Sequence, residues 1–268
     1  SEPLHAGPVS RLLYSRDGKV LLTASYDCTA RVCRLPLGKH QGAGASFVGH
    51  SGPVRASSLS WSLRRPLVLT ASADKTLRIW QADKTRAAAA AAVTISTVDK
   101  TPKPFKTSGP GSTSQTSSRT SSSSSTSTSN KAFESEITWG GFFRKDKFVL
   151  AACKNELRVF RFALDEHKRD DLKRTQCPGR YKCVFRYSAP QFHTISTCAA
   201  ANAFDSTLVL LAGSNRSLEI LDLDSGAVVR SVSDCHGKPI HSMCLNEGTD
   251  FVSAPPADSA CMFLTSAA

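Results

Sequence analysis

Several kinds of stretch are missing from this 268-residue chain, and each absence removes a class of protein. No apolar run reaches the roughly 18 residues that a membrane-spanning helix needs. No basic segment followed by an apolar core opens the chain, so a secretory leader is not expected. None of the nine cysteines forms a C-x-x-C pair, and no Cys/His spacing matches a zinc site, so no metal and no cofactor is expected. Glycine-rich phosphate cradles and RNA-binding sheet motifs are absent as well. The cysteine count is odd, and Cys28, Cys153, Cys183, Cys198 and Cys244 lie inside apolar or strand-like runs. They read as small core residues of a protein kept in a reducing compartment, intracellular and either cytoplasmic or nuclear. On that reading Asn215-Arg216-Ser217, which fits a glycosylation acceptor, is accidental.

What is present is repetition. Gly49 to Gln81 holds a Gly-His pair, two alternating apolar runs, an Asp74-Lys75 turn between them, and Ile79-Trp80 at the end. β-branched and aromatic residues around a tight turn predict antiparallel strands over Leu67–Ser72 and Thr76–Trp80. The element occurs twice: VLLTASYDCTARVC of residues 20–33 matches LVLTASADKTLRIW of residues 67–80, with 47 residues between the turn aspartates Asp27 and Asp74. In wording and spacing these units resemble WD40 repeats, each of which supplies one four-stranded antiparallel propeller blade. The resemblance implies an all-β propeller. Gln81 departs from the aspartate usual after the tryptophan, and Cys33 stands where the second unit has Trp80.

Weaker copies follow. Leu157 to Phe162 mirrors the Trp80 strand with Phe160 at the aromatic position, and Leu218 to Leu223 does so with Leu221. Tyr181, Cys183, Phe185 and Tyr187 alternate with Arg180, Lys182 and Arg186, which predicts a half-buried strand with a basic outer face. His236-Gly237-Lys238-Pro239-Ile240 repeats the opening at His5 and at His50, and a second strand is expected over Met262–Ser266. Blades one and two therefore occupy 1–99. A Ser/Thr-rich insertion over 100–131 is too polar to offset its ordering entropy. Residues 132–268 hold blades three and four and the start of a fifth. Four and a half blades are expected not to close a ring, so that the missing blades come from elsewhere or the chain is marginal on its own.

His50, Ser72 and Asp74 could be written as a catalytic triad. The resemblance implies instead a structural tetrad with Trp80, in which the aspartate accepts from the histidine and the histidine meets the serine; His5, Ser25 and Asp27 are its counterpart in the first blade. Ser72 sits mid-strand without a glycine elbow or an oxyanion site, so no catalytic residue is expected. Charge is the other feature. The net balance is +12, and residues 144–186 hold 13 basic against 6 acidic residues. The expected function is a non-enzymatic scaffold binding protein partners through propeller loops and faces. The alternative is an electrostatic module whose basic third blade, with Arg180, Lys182 and Arg186, docks nucleic acid or an anionic membrane.

Overall fold

The computed structural model describes residues 3–35, 44–62, 66–82, 91–96, 132–164, 181–245 and 263–267. Every regular element among them is a strand. β1 (Val9–Tyr14), β2 (Val20–Ser25), β3 (Thr29–Arg34) and β4 (Ser46–Val48) form one antiparallel sheet in chain order. β5 (Val54–Leu59), β6 (Leu67–Ser72), β7 (Leu77–Gln81) and β8 (Val93–Ile95) form the second. The third is β9 (Ile137–Phe143), β10 (Phe148–Cys153), β11 (Glu156–Phe162) and β12 (Tyr181–Ser188). The fourth is β13 (Ile195–Ala200), β14 (Leu208–Gly213), β15 (Leu218–Asp222) and β16 (Val228–Val232). The two-stranded unit β17 (Ile240–Leu245) and β18 (Phe263–Ala267) completes the described set. No helix among the described residues is long and apolar enough to cross a membrane, which says nothing of a β-barrel.

The meander follows from the turns. Three of the second-to-third-strand turns place a non-glycine residue in the left-handed region at one position, Cys28 (φ 67°), Lys75 (φ 66°) and Arg216 (φ 68°). The third blade joins Cys153 to Glu156 by only two residues, with Lys154 at φ 52°, and Asn155 stands two residues after Cys153 where blades one and two carry an aspartate after Ser25 and Ser72. Each first strand carries the same bulge: one unpaired residue lies between Val9 and Arg11, Val54 and Ala56, Ile137 and Trp139, Ile195 and Thr197, and Ile240 and Ser242. Three of those bulged residues tie a blade to a neighbour, Arg55 by donating to the Tyr26 hydroxyl at 2.7 Å and the other two through backbone carbonyls. Ser10 Oγ donates to the Val54 carbonyl at 2.5 Å, and Thr138 Oγ1 to the Ile195 carbonyl at 2.8 Å.

The sheets are buried between one another, so the core lies between blades. Leu22, Val32 and Phe47 of the first meet Val54, Val68 and Trp80 of the second, with the Phe47 and Trp80 rings 5.5 Å apart. Leu69, Ile79 and Ile95 meet Ile137, Val149 and Phe160. Leu150, Leu157 and Tyr187 meet Ile195, Val209 and Leu221, and Leu210 and Leu218 meet Ile240 and Met243. All six residues of β6 are buried because both faces of the blade are covered, whereas β16 at a blade's outer edge is almost wholly exposed. Each large side chain buried this way contributes about 1.5–3 kcal/mol.

Several expectations are adjusted. The strand of Trp80 begins at Leu77, since Thr76 closes the Asp74 turn, and the last strand runs over Phe263–Ala267. The alternation expected along 181–187 is broken. Phe160 pairs with Cys183 but Val159 with Phe185, so Val184 bulges out and the two halves of β12 face opposite ways. Tyr181 and Cys183 join the core shared with blade two, while Phe185 and Tyr187 join the core shared with blade four. The seven described cysteines are all free: Cys33, Cys153, Cys183 and Cys198 are buried, Cys28 sits half-buried in a turn, and Cys235 and Cys244 are exposed. The Ser/Thr-rich stretch 100–131 lies outside the described residues.

Candidate functional site

His50 lies just before β5, and Gly49 in front of it has a φ of +152°. That φ favours glycine, and a Cβ there would also stand 2.6 Å from the Arg78 guanidinium, which would have to shift. From this position the His50 Nδ1 side meets Asp74 Oδ2 at 2.8 Å, and its Nε2 side meets Thr70 Oγ1 at 2.7 Å. The Trp80 indole N–H donates to that same hydroxyl at 2.8 Å. The chain of contacts therefore runs Asp74–His50–Thr70–Trp80. Ser72, the serine expected in it, bonds elsewhere. Its Oγ donates to the Gly52 carbonyl at 2.8 Å and accepts from the Asp74 N–H. Thr70 and Ser72 share one face of β6 two residues apart, and the ring stops opposite Thr70.

The first blade repeats this geometry. His5 meets Asp27 at 2.9 Å and Thr23, not Ser25, at 2.7 Å, while Ser25 Oγ donates to the Pro8 carbonyl at 3.0 Å. With Cys33 in place of an indole, no ring N–H reaches Thr23. Both aspartates are also braced by a threonine that sequence reading missed. Asp74 Oδ1 accepts from the backbone N–H and hydroxyl of Thr76, and Asp27 Oδ1 does the same with Thr29. The signal for it was the residue two places after each aspartate. Burial works against the Asp27 carboxylate, but the donors Thr29, His5 and Ala6 outweigh it and hold its pKa down at about 2. Asp74 is held well below the usual carboxylate range in the same way. Burial is the main influence on His50 and lowers its pKa, with Asp74 opposing and Arg78 assisting.

Blade three has none of this. Ala151 and Cys153 stand at the Thr70 and Ser72 register positions. Its polar centre is Glu156, whose two oxygens accept from Arg158 at 2.7 Å and from Arg186. Arg158 is 3% exposed, also donates to the Ala132 carbonyl, and lies over the Phe133 ring. Of the cations expected to form a docking surface, Arg186 is thus committed to Glu156. Lys182 is exposed, and Arg180 lies outside the described residues. Lys182 and Arg186 also lie on opposite sides of the Val184 bulge, so the single basic face expected from alternation is not formed.

A second feature was not anticipated at all. The first-to-second-strand turns of blades one to four surround a cavity of about 250 Å³, whose lining includes Tyr14, Arg16, Trp61, Trp139, Phe142 and Asn202. The Arg16 guanidinium stacks 3.8 Å from the Trp61 ring. Gly141 lets the Trp139 indole lie across its strand, since a Cβ there would stand 2.6 Å from that ring. The cavity rim is held by the turn after β9, where Arg144, Lys145 and Asp146 have φ of 50°, 51° and 64° in succession. Each left-handed residue without glycine costs about 1–2 kcal/mol. Fixed contacts offset this: Asp146 accepts from the Trp61 N–H at 2.8 Å, the Ser62 N–H at 3.1 Å and the Asn202 side-chain amide at 2.7 Å. Arg144 donates to the Ser206 carbonyl and pairs with Asp224 at 2.6 Å. The turn thereby joins blades two, three and four at the cavity mouth. Its sequence, Arg-Lys-Asp-Lys, contains no glycine that would have flagged it.

Comparison with known proteins agrees with the repeat plan. The WD40 family, "WD domain, G-beta repeat", matches residues 3–33 and 43–81. The COMPASS component SWD3 of Saccharomyces cerevisiae is 36% identical over 76 residues, which is 28% of this chain and 22% of that relative. The family match falls on the units whose four-stranded sheets and His-Asp contacts are described above, so residues 3–33 and 43–81 are WD40 repeats within an all-β chain of four-stranded antiparallel sheets consistent with propeller blades.

Proposed function

We propose that this chain is a non-enzymatic scaffold that receives a protein partner at the turn-lined end of its inner strands, in the cavity between Trp61 and Trp139. WD40 repeats imply a protein-interaction role, and the relative's name makes that protein a component of COMPASS. The observation that carries the proposal is the cavity's construction. Aromatic rings, a stacked guanidinium and an amide converge from four blades, held by a strained turn that fixed hydrogen bonds stabilise. Aromatic and arginine groups are those that dominate protein interfaces.

The histidine networks support the non-enzymatic part. Both nitrogens of His50 are engaged, and Thr70 is 1% exposed, so neither a base nor a nucleophile faces solvent. Docking of nucleic acid or anionic lipid is the weaker reading, because Arg186 directs its charge at Glu156. The free state of all described cysteines favours an intracellular, reducing location.

The test is quantitative affinity capture of cross-linked partners on the full chain and on Trp61→Ala and Trp139→Ala variants, at low and high salt. Loss of the same partner protein from both variants, with little salt dependence, is the expected result. Retention by both overturns the cavity assignment, and a steep loss with salt in the parent chain shifts the reading to electrostatic docking.

A further inference from the structure

At about 250 Å³ the cavity between Trp61 and Trp139 is smaller than the ~300–1,000 Å³ of sites that hold a drug-sized molecule, and is on the scale of one large side chain. Its apolar walls are fixed: Phe142 is 3% exposed, and the Trp139 indole lies across Gly141. The polar side chains of the lining are bonded within the protein. Ser58 Oγ accepts from the Phe142 N–H at 3.4 Å, Ser60 Oγ accepts from the Leu67 N–H at 2.7 Å, and Asn202 exchanges two hydrogen bonds with Asp146. Asp146 also accepts from the Trp61 and Ser62 N–H groups, so both of its oxygens are engaged at the rim. Among the described lining residues Arg16 carries the only full charge, and its guanidinium lies 3.8 Å from the Trp61 ring.

We propose that the cavity selects a large uncharged side chain of the partner, an aromatic ring or a leucine, and that Arg16 is the residue that turns cationic side chains away. This selectivity rests on the reading of the cavity as the partner site. An apolar group entering here gains the contacts of Trp61, Trp139 and Phe142 and leaves none of the bonded lining groups unpaired. A lysine or arginine would leave water for a space whose charge is of its own sign, with the Asp146 carboxylate already engaged. A carboxylate would meet Arg16 but would lose the rest of its hydration among rings and bonded polar groups. Stacking on Trp61 sets the guanidinium before the partner arrives, so the discrimination is preorganised.

The three tryptophans of the chain supply the readout, since Trp61 and Trp139 line the cavity while Trp80 is fully buried between blades one and two. The full chain labelled with fluorotryptophan is titrated, under fluorine NMR, with the N-acetyl amides of tryptophan, leucine, glutamate, lysine and arginine. Saturable shifts of the Trp61 and Trp139 resonances, with Trp80 unmoved, are expected from the tryptophan and leucine amides. The lysine and arginine amides should bind about tenfold more weakly. In Arg16→Gln that gap should narrow to about threefold, and an unchanged gap overturns the role given to Arg16. Cationic or acidic amides that bind as well as the tryptophan amide overturn the selectivity while leaving the cavity as the partner site. If no amide moves Trp61 or Trp139, or all three tryptophans move alike, the cavity assignment falls and the selectivity with it.

Discussion

Blades two and three answer one structural problem with different chemistry. In both, the third strand buries an aromatic residue on the face turned toward the preceding or following sheet, and the polar groups around it must be satisfied in a dry setting. Blade two does this with a relay that starts at the Asp74 carboxylate and runs through His50 and Thr70 to the Trp80 indole. Blade three places Ala151 where the threonine would be and Asn155 where the aspartate would be, and closes its polar centre with Arg158, Glu156 and Arg186. Loss of Thr70 or Trp80 from the relay leaves the Asp74 carboxylate with its His50 and Thr76 donors, whereas loss of Glu156 leaves the buried Arg158 charge without its counter-ion. The WD40 pattern is thus one of at least two ways this chain locks a blade.

The contrast is sharpened first by removing its charged member. Glu156→Ala strands the Arg158 guanidinium in the core, and a loss of about 3–5 kcal/mol is expected in a urea melt. Glu156→Gln should recover part of it by keeping two hydrogen-bonding positions. A loss below that of an ordinary surface substitution would show that the cluster is hydrated and that the comparison fails. A smaller effect is expected in blade two from Trp80→Phe, which removes the indole donor to Thr70 along with part of the ring, at about 1–3 kcal/mol. The reciprocal Phe160→Trp should give no stabilisation, because Ala151 offers no hydroxyl to receive the N–H. A gain from Phe160→Trp would mean that the aromatic ring alone, without the relay, decides blade stability.

The smallest effect is a pH dependence carried by His50. Its folded pKa lies below the ordinary value of 6.5, so the unfolded chain takes up a proton first and stability declines as pH falls below about that value. Asp74, depressed in the fold, adds a further loss as pH falls below its ordinary 3.8. Blade three contributes only at the acid end. Burial raises the Glu156 pKa but the Arg186 and Arg158 hydrogen bonds outweigh it, so its stabilisation is lost as pH drops below 4.5. Thermal melts of the parent and of His50→Asn across this range should differ most between the two acidic limbs. An unchanged upper limb in the variant would remove His50 as its source.

Much of this could be read from residues alone. The column Cys33, Trp80, Phe160 and Leu221 occupies one register position in four sheets, as the aligned strands predicted, and the strand plan of all five units was visible in alternation and turn residues. The hydroxyl partner was not. Thr70 and Ser72 are two apart on the same strand face, and only the reach of the His50 ring selects between them. The two faces of β12 were misassigned because a bulge leaves no compositional mark, and alternation continues in the letters after it has reversed in space.

Periodicity, turn chemistry and the spacing of Asp27 and Asp74 by themselves determined an all-β chain of repeated antiparallel blades, because these are local properties that each segment expresses by itself. Tertiary structure decided where polar groups end. It chose Thr70 over Ser72 and directed Arg186 to Glu156. It brought Tyr14, Trp61 and Trp139 from three blades to one cavity, and held three successive left-handed residues at its mouth. These outcomes depend on distances between segments far apart in the chain, and such distances exist only once the sheets have packed.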